Sequence, residues 1–363
     1  MRVVQKYGGS SVADVARLRH VADRIARTRA AGHEVVVVVS AMGNTTNELL
    51  ALARQVAVTP GRRELDMLIS VGERVSMALL AMALHERGVA ARSFTGSQSG
   101  IITDESHANA RVLEVRPDRV REALAAGEVA IVAGFQGVSR AREVTTLGRG
   151  GSDTTAVVLA AALEADECEI CSDVDGIYSA DPRQVPDARK IEVLSLDEAL
   201  ALARNGAKVL YEEAVAWAHR EGITLRASAT AVEGGGTRVV PAVELPVASR
   251  FVAVTRDTEL LRAPLAALAD LPTACIRHAD ANGLLLDRRN LHTNLPGLEP
   301  VATVTIVGSR AGADPRLLAQ VLEVARGQAP EATWAAQADA VVFTVAPERS
   351  AALEQALHDA FLS

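Results

Sequence analysis

The sequence predicts an α/β domain built around a mostly parallel sheet, followed by a smaller α+β region. Three observations predict it. Short Val/Ile-rich runs alternate with longer Ala/Leu/Arg segments of helical period from Arg2 to Ala227. One run, Val35–Val39, is apolar at every position, as a strand buried on both faces requires. A Gly and Pro cluster, Glu233–Gly236 with Pro241 and Pro246, then breaks the rhythm and marks a loop and a domain boundary. At 363 residues the chain has room for about two domains.

The elements follow in order. Strands are expected at Arg2–Lys6, Glu34–Ser40, Val89–Phe94, Val129–Gly134, Glu167–Ser172 and Thr224–Ala227. Helices are expected between them at Val12–Ala31, Asn47–Val56, Leu65–Arg87, Pro117–Ala126, Thr154–Leu163, Leu196–Arg204 and Glu212–Arg220. Beyond the boundary, Phe251–Thr255, Val301–Val307 and Ala340–Val345 read as strands. Ala263–Ala269, Pro315–Arg326 and Arg349–Phe361 read as helices, in two related β-α-β-type units without a strict repeat.

Composition narrows the function. The hydrophobic fraction is 49% and the charged fraction 23%, so the chain can bury a core and is not a disordered one. Aromatics are 3%, too few for a base-stacking surface. The net charge of -7 excludes a global basic field for nucleic acid or an anionic membrane, while leaving room for a local basic pocket. Three Cys cannot make a disulfide framework, and the N-terminus lacks an apolar targeting core; both fit a cytoplasmic protein.

Four segments carry chemistry. Lys6-Tyr7-Gly8-Gly9-Ser10-Ser11 directly follows the first strand. Its glycines let backbone N–H groups approach an anion at a helix start, and Lys6 adds a positive charge. A ligand-free tight turn is the alternative. It is not a P-loop, because the Lys precedes the Gly pair. Gly148-Arg149-Gly150-Gly151-Ser152-Asp153-Thr154-Thr155 precedes an Ala-rich helix; Arg149 can grip a carboxylate or phosphate, or the segment can be a plain cap. It is not a dinucleotide fingerprint, which needs Gly where Asp153 stands. Ser172-Asp173-Val174-Asp175-Gly176-Ile177-Tyr178, leading to Asp181-Pro182-Arg183, lacks the spacing of a calcium loop and on its own reads as a solvated turn. Gly72-Glu73-Arg74 sits inside a helical run. Gly there costs about 1 kcal/mol against Ala unless something approaches closely. Cys168-x-x-Cys171 has no second pair, and residues three apart on a strand face opposite ways, which favours a structural role. No zinc-protease helix or hydrolase signature is present among the His, Ser and Asp residues.

Taken together, and with Ser40-Ala41-Met42-Gly43-Asn44-Thr45-Thr46-Asn47, Phe94-Thr95-Gly96-Ser97-Gln98, Gly134-Phe135-Gln136-Gly137 and Gly206-Ala207-Lys208-Val209-Leu210, these segments resemble the aspartokinases of the amino-acid kinase superfamily. The resemblance runs through about residues 1–240. Acetylglutamate, uridylate and carbamate kinases share the opening glycine pair but not the ordered series.

The resemblance implies a three-layer amino-acid-kinase sandwich at 1–240 and an ACT-like regulatory and dimerisation region at 241–363, hence a homodimer. It implies ATP-dependent phosphorylation of the β-carboxylate of L-aspartate, with Mg²⁺ held through the ATP phosphates and no protein metal cage. Lys6 and Lys208 would neutralise the transferring group and Asp153 would orient them. Gly8, Gly9, Ser10, Gly150 and Gly151 would meet phosphate. Glu73 would receive the substrate ammonium and Arg149 its α-carboxylate. Ser40, Thr46, Phe135 and Ser152 would shape the amino-acid site; Ser172, Asp173, Tyr178 and Arg183 would hold the nucleotide. The last 120 residues or so depart from a pair of complete ACT domains, and Ala279-Asp280-Ala281-Asn282-Gly283 gives no clear effector loop. Tyr211-Glu212-Glu213 and Ala227-Ser228-Ala229-Thr230 also replace more usual residues. Weak or absent lysine and threonine feedback is expected. A kinase for another amino acid and an inactive amino-acid or nucleotide sensor are the competing readings.

Overall fold

A run of five valines avoids water on both faces only inside a covered sheet, and all of Val35–Val39 are fully buried. The computed structural model places them in the third layer-forming segment of a long α/β succession. It describes residues 1–232, 234–245, 250–271, 275–280, 283–291 and 297–363. The chain starts with β1 (Arg2–Tyr7), α1 (Val15–Ala30), β2 (Glu34–Val39), α2 (Thr45–Val56), α3 (Arg62–Ile69), α4 (Val71–His85) and β3 (Ala91–Phe94). It continues with β4 (Ile101–Thr103), β5 (Val112–Val115), α5 (Asp118–Ala125), β6 (Val129–Ala133), β7 (Gln136–Ser139), β8 (Val144–Thr146), α6 (Gly151–Ala162) and β9 (Glu167–Ser172). Then come β10 (Ile177–Tyr178), β11 (Lys190–Ile191), β12 (Val193–Ser195), α7 (Leu196–Arg204), α8 (Glu212–Glu221), β13 (Leu225–Ala229) and β14 (Thr237–Val240).

These residues group into two compact units that interleave along the chain. One comprises Met1–Ile177, Glu192–Leu196 and Val209–Glu244; the other comprises Tyr178–Ile191, Asp197–Lys208 and Leu245–Ser363. The first unit holds an eight-stranded sheet in the order β12-β14-β13-β9-β1-β2-β6-β3. Neighbours β9, β1, β2, β6 and β3 all run parallel. The C-terminal ends of β1, β2 and β6 therefore open on one edge, where loops of α/β sheets collect ligands. Four short strands, β5-β4-β7-β8, form a separate small sheet.

The expected strands of the first unit all form, each end within two residues of its expected place. The strands β4, β5, β7 and β8 were not anticipated; at three or four residues each they show no apolar run. The single helical run expected at Leu65–Arg87 is divided at Ser70 into α3 and α4. Glu233 and Pro246 of the boundary cluster lie outside the described residues, as do Ala281 and Asn282.

The second unit adds β15 (Ala253–Ala263), β16 (Ile276–Asp280), β17 (Gly283–Asp287), β18 (Glu299–Val307), α9 (Pro315–Gln328), β19 (Thr333–Gln337), β20 (Ala340–Val345) and α10 (Pro347–Phe361). They make a six-stranded sheet, β16-β17-β15-β18-β20-β19. Val304, Ile306, Phe343, Val321, Leu353 and Leu357 join sheet and helices in one apolar cluster. The helix expected at Ala263–Ala269 is a six-residue 3-10 turn, Leu265–Asp270.

Candidate active site

The site begins at the end of β1. Lys6 stands two residues before the glycine pair, and it is 9% exposed. Its Nζ lies 2.7 Å from Oδ1 of Asp153, which is 2% exposed in the first turn of α6. The approach is off hydrogen-bonding direction, so Oδ1 is ion-paired yet has no hydrogen bond of its own. Nothing in the local sequence joins these residues; the sheet does, by laying β1 beside the start of α6, which is buried from Gly151 to Ala160. Gly8 sits against the Lys6 ammonium, and its N–H is held by the Cys171 carbonyl at 3.2 Å. Gly9 opens a 3-10 turn, and its carbonyl accepts from the Gly43 N–H at 3.1 Å, which ties the Ser40–Gly43 loop to the turn.

The second loop enters through Phe135, whose φ of +66° is left-handed, a strained state for a residue with a Cβ. Thr155 Oγ1 accepts from its N–H at 3.1 Å. Gly150 caps α6 with φ +75°, and an added Cβ would run into the Tyr211 ring. Gly150→Ala is expected to cost at least about 2 kcal/mol through backbone strain and this collision. Adding Tyr211→Ala should recover the collision part in urea denaturation; full additivity of the two substitutions would show that the ring does not press on this position.

Opposite lies Glu73, 3% exposed on α4. The Ala41 N–H donates to its Oε1 at 3.1 Å, while Oε2 has no hydrogen-bond partner among the described residues. Burial pushes this carboxyl up to about 7, against the pull of the Glu73 and Ala41 backbone N–H groups. A buried carboxylate with one empty oxygen is built to receive a donor, and a cation suits it best. The neighbouring glycine is now explained. A Cβ on Gly72 would lie 2.6 Å from the Cβ of Ala41, so the close approach is by the chain itself.

These groups line one cleft of about 310 Å³, a size that suits a small polar ligand. Lys6, Gly9, Ser40, Thr46, Glu73, Phe135, Arg149, Gly150, Gly151, Ser152 and Asp153 all line it. Arg149 is exposed there and has no ion-pair partner among the described residues. Gly8 and Ser10 flank the lining. Ser172 and Asp173 lie at and just past the end of β9, outside it. Tyr178, Arg183 and Lys208 belong to the second unit. Asp181 holds the Arg183 guanidinium through two contacts of 3.0 and 2.7 Å.

Two contributions escaped the sequence reading. Tyr211 lines the cleft, although it stood out only as an unusual residue. Asp66, fully buried on α3, accepts from the Thr146 hydroxyl at 2.6 Å and the Ala108 N–H at 3.0 Å, and pairs with His107 Nδ1 at 2.7 Å. It anchors the end of β8 just before Gly148–Arg149. Its one signal was a lone carboxylate in the apolar stretch Leu65–Ile69. The Cys168 and Cys171 thiols are buried and unjoined; burial pushes the first well up and the second up to about 12, which makes both poor nucleophiles.

A parallel sheet with two glycine turns, a lysine and a carboxylate at its C-terminal edge defines a class of small-molecule phosphate enzymes, and residues 1–226 match the amino acid kinase family. The chain is 41% identical over 394 aligned residues to an aspartokinase of Geobacillus stearothermophilus, covering 99% of this chain and 97% of that protein. It is 52% identical over 273 residues to an aspartokinase of Mycolicibacterium smegmatis; that match covers 74% of this chain and about 65% of the relative's length. The crystal structure of E. coli aspartokinase III in complex with aspartate and ADP superposes with a TM-score of 0.84 at 24% identity, over 99% of both chains. The chain belongs to the aspartokinases, within the amino acid kinase family.

Proposed function

We propose that this chain transfers the γ-phosphoryl group of ATP to the side-chain carboxylate of L-aspartate, giving 4-phospho-L-aspartate and ADP. The observation that carries the reading is the Lys6–Asp153 pair, at 2.7 Å, in the same cleft as the half-satisfied carboxylate of Glu73. The first is a tool for phosphate, the second for an ammonium group. The family name of the 41% identical relative supplies the substrate.

The chemistry needs little more. A carboxylate nucleophile is ionised at neutral pH, so no general base is required. Phosphoryl transfer then depends on alignment and charge compensation. Lys6 carries positive charge to the transferring group, and Asp153 fixes where that charge sits. Gly9 and Gly150 offer backbone N–H groups to phosphate oxygens; the N–H groups of Gly8 and Gly151 are spent on the carbonyls of Cys171 and Gly148, at 3.2 and 3.0 Å, so these two glycines serve by leaving room for the phosphates. Glu73 takes the substrate ammonium and Arg149 its α-carboxylate, while Ser40, Thr46, Phe135 and Ser152 bound the pocket. The roles given to Ser10, Ser172, Asp173, Tyr178, Arg183 and Lys208 rest on their motifs. Mg²⁺ held by the ATP phosphates would supply further charge compensation.

The second unit is read as an abbreviated ACT-like region that pairs two chains and responds weakly, or not at all, to lysine or threonine. A six-residue 3-10 turn stands in its first half where its second half has the fourteen-residue α9, which supports the reading. A cytoplasmic setting suits the unjoined thiols of Cys168 and Cys171.

Trapping acyl phosphate with hydroxylamine tests the proposal, with ATP, Mg²⁺ and a panel of amino acids. Hydroxamate should form fastest with L-aspartate, and millimolar lysine or threonine should leave the rate almost unchanged. A different preferred amino acid would make the chain a sister kinase. No product from any substrate would leave an amino-acid or nucleotide sensor. Strong inhibition by either effector would overturn the regulatory part alone.

A further inference from the structure

Burying a carboxylate is costly unless its oxygens are bonded, so the fully buried Asp66 does something that an apolar residue could not. Its bonds lead to β8 and to the 107–110 loop beside that strand. The Thr146 hydroxyl donates to Oδ1 at 2.6 Å, and His107 Nδ1 lies 2.7 Å from Oδ2. The Ala108 N–H donates to both oxygens, at 3.0 and 3.2 Å. Strand and loop are also joined to each other, since the Ala110 N–H donates to the Thr146 carbonyl at 2.8 Å. Ala108 has φ +70°, a strained state for a residue with a Cβ, and strain of this kind collects at functional sites.

Just beyond Thr146 the chain makes the turn that carries Arg149. Gly148 and Gly150 are both left-handed, with φ +77° and +75°, so Arg149 stands at the tip of a tight loop. The 107–110 loop presses on that turn: a Cβ on Gly148 would lie 2.4 Å from Asn109 Oδ1. The helix α3 also holds the other strand of the hairpin. The Gln136 side-chain amide donates to the Ser70 carbonyl at 2.9 Å, and Gln136 pairs with Thr146 across β7 and β8. Three residues after Ser70 comes Glu73. The α3–α4 run therefore bears the group read as receiving the substrate ammonium. It also fastens the hairpin that leads to the group read as receiving the α-carboxylate. Both line one cleft. In an α-amino acid those two charges sit on a single carbon, so their receptors must stand at one spacing.

We propose that Asp66 is a positioning residue for amino-acid recognition. With Thr146 and His107 it sets the Arg149 turn at a fixed distance from Glu73, and this distance selects a ligand that carries an α-carboxylate. This role rests on that of Arg149 as the receptor of the α-carboxylate. Arg149 is itself exposed, so its backbone is what the fold can place. Apolar packing is non-directional, whereas a carboxylate bonded on both oxygens fixes position and orientation together.

Thr146→Val removes one of the two side-chain partners of Asp66 at nearly constant shape. Equilibrium titration of the full chain with L-aspartate, with its α-amide and with ADP plus Mg²⁺ then reads the role. L-Aspartate should bind about tenfold more weakly, the weight of one hydrogen bond, while the α-amide and ADP stay within about twofold. Thr146→Ser keeps the hydroxyl and should restore the affinity for L-aspartate. His107→Ala, at a part-exposed position, removes the other side-chain partner and should repeat the pattern, whether or not the Val variant folds. A merely structural anchor would lower the urea midpoint and leave the preference for acid over amide unchanged. Unchanged affinity for L-aspartate in the folded variants would overturn the proposal, as would an equal loss for acid and amide. A wild type that binds acid and amide equally would overturn the role of Arg149 and this one with it. Should the wild type prefer another amino acid, the substrate reading fails alone, and the same titrations with that acid and its α-amide decide the role of Asp66.

Discussion

Replacing Lys6 with methionine is expected to lower kcat about 10²–10³-fold, the usual loss when one preorganised charge at a transferring group is removed. The KM for aspartate should change little, because Glu73 and Arg149 make the contacts proposed for the amino acid. A second effect must be separated from the first. Asp153 is 2% exposed and has Lys6 as its ion-pair partner at 2.7 Å. Taking away one member of a buried pair costs about 3–5 kcal/mol, because the other charge is left without compensation. The Lys6→Met variant should therefore also melt earlier. Pairing it with Asp153→Asn removes the stranded charge, so the double variant should regain stability and not rate. Steady-state kinetics and urea denaturation of the three proteins decide the matter. A double variant that recovers kcat along with stability would show that Lys6 serves the fold and not the transfer.

Glu73→Gln should raise the KM for aspartate about 10²-fold or more, the cost of losing one partner of a desolvated charge pair. It should also abolish a pH dependence. Burial raises the Glu73 carboxyl to about 7 from an ordinary 4.5. Below about pH 7 a proton competes with the substrate ammonium, so the wild-type KM should climb as pH falls from 8 to 6, and the Gln variant should be flat. Stability moves by the same linkage. The unfolded chain releases this proton near pH 4.5 and the folded protein holds it until about pH 7. The contribution is fully present below the lower value and is lost as pH rises through the upper one, up to about 3 kcal/mol in all. Urea melts of both proteins at pH 5 and pH 8 measure it. Equal pH dependence in the two would place the titration elsewhere.

Much of the site was legible because its parts are local. A lysine at a strand end, two glycine turns, and a carboxylate in the first turn of a helix can each be read from a few adjacent residues. Asp66 was not legible, since its partners Thr146 and Ala108 stand 80 and 42 residues away. The four short strands were missed for a related reason: a strand of three or four residues has no period to detect. Gly72 shows the limit from the other side. The sequence marked it as a position that needs a close neighbour, and could not say that the neighbour is Ala41.

By itself the sequence determined the parallel α/β core, the glycine turns and the inventory of charged groups, because burial period, turn chemistry and charge are properties of short segments. The tertiary structure decided which of those groups act on one another. Strand order carries Lys6 to Asp153, and the packing of α4 desolvates Glu73 while leaving one of its oxygens empty. Distance and desolvation are set by residues far apart in the chain, and they are what convert a list of charges into a site.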